Sequence, residues 1–123
     1  MKLAEQSDSE ILKVANPIMN NLMEASTDID FEKHTKDFSD RIKKNFTKED
    51  FQKQCQGYLS KLGIFADREF MGTTRHEKLV NVYWKQRLSK TEDEFLATLS
   101  LSQQGSRYVV ERAYVDLWRL EKQ

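Results

Sequence analysis

The side chains of this chain that could do chemistry are few. His34 stands in the series Phe31, His34, Phe38 and Ile42, with steps of three, four and four residues. That spacing puts its imidazole on the apolar stripe of a helix. A histidine there could serve as acid or base near neutral pH. The plainer reading, adopted here, is a partly buried imidazole satisfied by one hydrogen bond. His76 sits among Arg75, Glu77 and Lys78 in a polar turn, where solvation is expected. Two histidines so far apart make no ligand pair. Cys55 is the only cysteine. It can neither close an internal disulfide nor build a zinc site. Its place on an apolar helix face reads as a buried structural thiol. No catalytic motif, metal box or phosphate loop occurs, so no catalytic residue, metal or cofactor is anticipated.

Charge removes further classes. Twenty basic residues balance twenty acidic ones over 123 residues. Lys85, Arg87, Arg107 and Arg112 therefore carry little electrostatic affinity for nucleic acid, and no such partner is expected. No run approaches the length of a membrane span. Met1 to Glu10 has no apolar segment of the signal-peptide kind. The expected location is cytoplasmic, or periplasmic if a signal peptide had been removed. The length suits one domain over residues 1–123, burying roughly two-thirds of its unfolded surface.

The elements that must position these residues fall into two groups. From about Ser9 to Leu62 the apolar residues recur at helical spacing. Ile11, Ala15, Ile18, Leu22 and Ala25 mark a first helix to about Ser26, with a bend near Lys13 to Pro17, or a start at Asn16, because Pro17 lacks a donor. Asp30 caps a second helix through Ile42, closed by Lys43, Lys44 and Asn45. Thr47 to Asp50 resembles a capping box with Asp in place of Glu. It opens a third helix bearing Phe51, Cys55, Tyr58, Leu59 and Leu62, with Gly63 as a left-handed stop. Four strands follow at period two: Ile64 to Thr74, with Gly72 a bulge or bend; Leu79 to Leu88; Glu94 to Leu101; and Arg107 to Trp118. Val80, Val82, Trp84 and Leu88 share one face. Val109, Ala113, Val115 and Leu117 are assigned to the same inner side, opposite Tyr108, Arg112, Tyr114 and Asp116. The fold class is α+β, three N-terminal helices packed on a curved antiparallel four-stranded sheet.

This layout resembles the nuclear-transport-factor-2-like fold, a cone in the cystatin-like group. The most specific stretch is Phe46-Thr47-Lys48-Glu49-Asp50-Phe51, then Leu62-Gly63-Ile64 and Arg68. The hairpin from Val82-Tyr83-Trp84-Lys85 to Phe95-Leu96-Ala97-Thr98-Leu99, and the ending Gly105 with Tyr108-Val109-Val110, are also similar to uncharacterised bacterial members. The resemblance implies a cone pocket at His34, Phe38 and Trp84 that could take a small apolar ligand. Steroid-isomerase-like members pair a carboxylate base with a phenol. Among the strand carboxylates Asp67, Glu69, Glu111 and Asp116, the pair Asp116 and Tyr114 imitates that best, but the alternation puts it outside. The resemblance also implies a homodimer through the outer sheet face, at Tyr83, Arg112, Tyr114 and Trp118. The alternative there is a solvated face with cross-strand ion pairs. The function expected is a non-catalytic binding or interaction domain, using the cone pocket or the outer sheet face. The second reading is a small proton-transfer enzyme, isomerase- or dehydratase-like, with His34 as its base.

Overall fold

A computed structural model describes residues 2–116 of the chain. After a 3-10 turn at Leu3–Glu5 come α1 (Asp8–Asp28), α2 (Phe31–Thr35), α3 (Asp40–Lys43) and α4 (Lys48–Lys61). Strands β1 (Phe65–Arg75), β2 (Val80–Leu88), β3 (Phe95–Gln104) and β4 (Arg107–Asp116) follow. They form one antiparallel sheet in the order β1-β2-β3-β4. The fold is the expected α+β arrangement, helices first and then an open sheet.

Local chemistry explains most boundaries. Ser7 accepts from the Glu10 amide at 3.1 Å, while Glu10 reaches back to the Ser7 amide, a full capping box that starts α1 before Pro17. The helix runs on through Pro17, which lies on the exposed side with Lys13. The second helix differs from expectation. It is two short helices, because Lys36 to Ser39 leave the helical ladder to bridge the edge of β4. Val110 donates to the Asp37 carbonyl at 2.7 Å and Ser39 donates to the Val110 carbonyl at 2.9 Å. Ser39 then caps α3. This bridge also covers an edge that would otherwise expose unpaired backbone. Gly63 stops α4 at φ 89°, as its place after Leu62 requires.

Bulges bend the sheet. β1 gains one residue against β2 between Phe65 and Arg68 and another at Met71, beside Gly72 at φ 148°. β4 gains Glu111, since Ser100 pairs with Arg112 but Leu101 pairs with Val110. Each extra residue flips the side-chain phase and increases twist. Beyond the β4 bulge, Val110 and Tyr108, not Val109, turn towards the main core. That core joins Ile11, Ala15, Met19 and Leu22 of α1 to Val80, Val82, Trp84, Ala97, Leu99 and Leu101 of the sheet.

Candidate functional site

The side of the sheet that faces the helices is filled. Trp84 is 2% exposed, and Arg68 stacks over its ring with the guanidinium carbon 5.1 Å from the centroid. Beside it Gln86 is fully buried. Its amide nitrogen donates to the Ala66 and Arg87 carbonyls at 3.0 and 2.8 Å. The first β1 bulge lies opposite Arg87, next to Gln86, and the Ala66 carbonyl within it finds its donor on the Gln86 side chain. His34 is buried against aromatic rings. Its centroid lies 4.5 Å from Phe51, 5.3 Å from Phe38 and 5.8 Å from Phe46. Its Nδ1 has no partner, and burial pushes its pKa down to about 4. The space His34 borders measures about 30 Å³ and is also lined by Ser26, Gln54 and Tyr58. That is room for a water molecule or two, not an organic substrate. Phe38 and Trp84 are buried core residues that do not line this space, so the structure joins His34 to Phe38 but not to Trp84. Cys55 is buried at its α4 position, and burial raises its thiol pKa against a hydrogen bond with Ser26.

The outer face has two halves. Towards one end, Arg87 bonds Asp67 at 3.0 Å and Glu94 at 2.9 Å, and Lys85 lies 3.7 Å from Glu94 and 3.9 Å from Glu69. This is a ladder of cross-strand ion pairs that occupies the Asp67 and Glu69 carboxylates. At the other end the face hollows into an open cleft of about 880 Å³. Asn81, Ser100 and Arg112 form one row of its floor across β2, β3 and β4. Ser102 stands two residues further along β3. The β4 bulge presents Glu111 and Arg112, neighbours in sequence, to the same cleft. Regular alternation would have sent them to opposite faces.

Hydrogen bonds tie the floor together. Glu111 accepts from Ser39 at 2.7 Å, from Ser102 at 2.6 Å and from Arg41 at 3.0 and 3.2 Å. Burial alone would raise the Glu111 carboxyl, but the bonds from Ser102, Ser39 and Arg41 outweigh it and hold its pKa below the ordinary value. Ser100 donates to the Asn81 carbonyl oxygen, and the Asn81 amide donates to Thr74, which bonds Tyr83. The remaining walls are Lys2 to Ala4, Arg41, the Glu77–Leu79 turn and Gln103 at the rim.

Of the residues singled out on the outer face, Tyr83, Arg112 and Tyr114 share it, and Arg112 stacks 5.8 Å from the Tyr114 ring. Leu96 and Tyr114 lie on a diagonal of that face, 41% and 43% exposed. Leu117 and Trp118 lie outside the described residues. Sequence reasoning missed Asn81, Ser102 and Glu111 as cleft residues. The available signal was the adjacent Glu111-Arg112 pair after Val109-Val110, a doublet in each class where strict alternation should hold. Among the described residues no cluster of three metal-ligating side chains occurs, and no helix is long and apolar enough to cross a membrane.

No protein-family model and no curated protein matches the chain. Solved structures do resemble it. The Bd1075 protein of Bdellovibrio bacteriovorus superposes with a TM-score of 0.53 at 18% identity, over 89% of this chain. The present chain spans only 42% of that protein's length. A SEC-C motif containing protein of Rhodopseudomonas palustris superposes with a TM-score of 0.56 at 11% identity, over 80% of this chain and 76% of that one. At these identities the likeness is one of fold.

Proposed function

We propose that this chain is a non-catalytic binding domain and that its site is the outer-face cleft over Asn81, Ser100, Ser102 and Arg112. One contrast carries the reading: about 880 Å³ of open, polar-lined cleft against about 30 Å³ beside His34. Ligand sites usually occupy several hundred Å³ and present a few fixed polar groups. The cleft has both features. Proton transfer at His34 has less support, because the space beside it is water-sized and a pKa of about 4 leaves the ring a weak base at neutral pH. Nuclear magnetic resonance mapping with a fragment library tests the assignment. Amide shifts should cluster at Asn81, Ser100, Ser102 and Arg112, and a Gln103→Trp variant, which fills the rim, should abolish them. Shifts confined to His34, Gln54 and Tyr58 would move the site to the helix side.

A second use of the same face is self-association. Exposed Leu96 and Tyr114 beside Tyr83 give it the aromatic content typical of interfaces, with Arg112 at the margin of this patch, on the cleft side. We infer a homodimer across this patch. Light scattering should give twice the chain mass, reduced to one by Tyr114→Glu. A wild-type monomer at every accessible concentration would reject it.

A further inference from the structure

The charges around the cleft point to its ligand. The whole chain is neutral, twenty cations against twenty anions. The cleft lining is not: Lys2, Arg41, Lys78 and Arg112 face only Glu77 and Glu111. Arg41 and Glu111 neutralise each other at 3.0 Å. Three cations then remain against one carboxylate. Elsewhere on the same face the pattern is the reverse, since Lys85 and Arg87 are matched by Asp67, Glu69 and Glu94. Among the described residues, Lys2, Lys78 and Arg112 have no ion-pair partner. Stacking over Tyr114 extends the Arg112 guanidinium and leaves its N–H edges for a ligand. The Glu111 carboxylate is already engaged by three side chains, so it repels an incoming anion less than a bare acid would. Ser100 and Ser102 spend their protons on Asn81 and Glu111. Their oxygens can still accept from a ligand hydroxyl.

We propose that the cleft binds a small organic polyanion bearing hydroxyl groups, either a hydroxylated di- or tricarboxylate or a sugar phosphate. Arg112 grips one anionic group in a bidentate fork, Lys78 and Lys2 neutralise the second, and the Ser100 and Ser102 oxygens accept from the hydroxyls. A volume of about 880 Å³ accommodates such a molecule with its bound water. The proposal rests on the cleft being the binding site and adds the class of ligand.

The experiment is a calorimetric titration paired with amide-shift mapping, using citrate, glucose 6-phosphate, glucose and spermidine. Citrate or glucose 6-phosphate should bind saturably, shift the Ser100, Ser102 and Arg112 amides, and weaken with salt. Whichever of the two binds more tightly identifies the anionic group. Arg112→Gln and Lys78→Gln should each weaken binding about tenfold or more, as expected for a lost charge-assisted contact. Both side chains are exposed, so both variants should keep the wild-type spectrum. Arg87→Gln, outside the cleft, should bind as wild type. Anion binding indifferent to Arg112→Gln and Lys78→Gln would overturn the proposal. So would cleft shifts with glucose or spermidine and none with the anions, although the cleft itself would survive as a site. No cleft shift with any of the four would remove both the ligand class and the cleft assignment.

Discussion

Mild acid, from pH ~6.5 down to ~5, should destabilise this protein through a single imidazole. His34 is 6% exposed, its Nδ1 has no partner, and three phenylalanine rings surround it. Tyr58 and Tyr114 line the same small space, and burial pushes the Tyr58 phenol to hold its proton more firmly. Among the described residues no carboxylate pairs with the ring, and burial is the cause of its shift. The folded pKa is about 4, against about 6.5 in the unfolded chain. The unfolded state therefore binds the proton first. Stability is complete above pH ~6.5 and falls as the pH drops towards ~4, below which both states are protonated and this group adds no further slope. The full gap is worth about 3 kcal/mol, with roughly 1.4 kcal/mol lost by pH ~5.5 and about 2.5 by pH ~4.5. Asp8 and Glu111 also have depressed pKa values, but their contributions fade only as the pH falls through the carboxylate range. The window between ~5 and ~6.5 belongs to His34. Urea denaturation of wild type and His34→Phe across that window is the assay. The variant should be nearly flat where the wild type slopes. Parallel curves would refute the assignment, as would a folded His34 pKa above 6.5 from a proton titration.

Further outcomes follow from packing. Trp84→Ala should cost about 3–5 kcal/mol in denaturant unfolding, because a buried aromatic leaves a cavity its neighbours cannot close. Gln86→Leu should cost about 1–3 kcal/mol despite its added hydrophobicity, because the Ala66 and Arg87 carbonyls would lose their side-chain donor; a neutral or stabilising result would mean those carbonyls find other donors. Gly63→Ala should lower stability by at least about 1 kcal/mol. Its φ of 89° penalises any Cβ, and the added methyl would collide with the Ser89 hydroxyl and press on the Lys90 amide nitrogen at 3.1 Å.

Where local chemistry decides, the sequence was readable. The Val80-Val82-Trp84-Leu88 alternation gave the buried face of β2, and Gly63 and Gly72 marked the stop of α4 and a β1 bulge. Cross-strand pairing of Lys85 and Arg87 with acids was among the readings of the outer face, and half of that face is so paired. What failed was decided at long range. The stripe Phe31-His34-Phe38-Ile42 has helical spacing, yet Asp37 and Ser39 give up their helical bonds to pair with Val110, more than seventy residues away. Similarly, the phase of β4 inverts at Glu111, so a period-two reading misplaces Val109 and Tyr108. Gln86 was passed over because polar residues on an inner face look like noise until the bulge beside it reveals a carbonyl needing a donor.

The broken helix and the β4 bulge meet at Glu111, and together they build the cleft. The segment that leaves the helix at Lys36 crosses the β4 edge at Phe38, which packs inward, and delivers Ser39 and Arg41 outward. The bulge turns Glu111 to meet them. Without the bridge, Glu111 would lose Ser39 and Arg41; without the bulge, Glu111 and Arg112 could not line one surface. The same segment anchors His34 among the rings on the helix side. The packing that fills the helix side of the sheet is thus continuous, through residues 34–41, with the wall of the cleft on its outer side. An open sheet whose helix side is filled can in this way carry an accessible cleft on its opposite side, through one bulge and one broken helix.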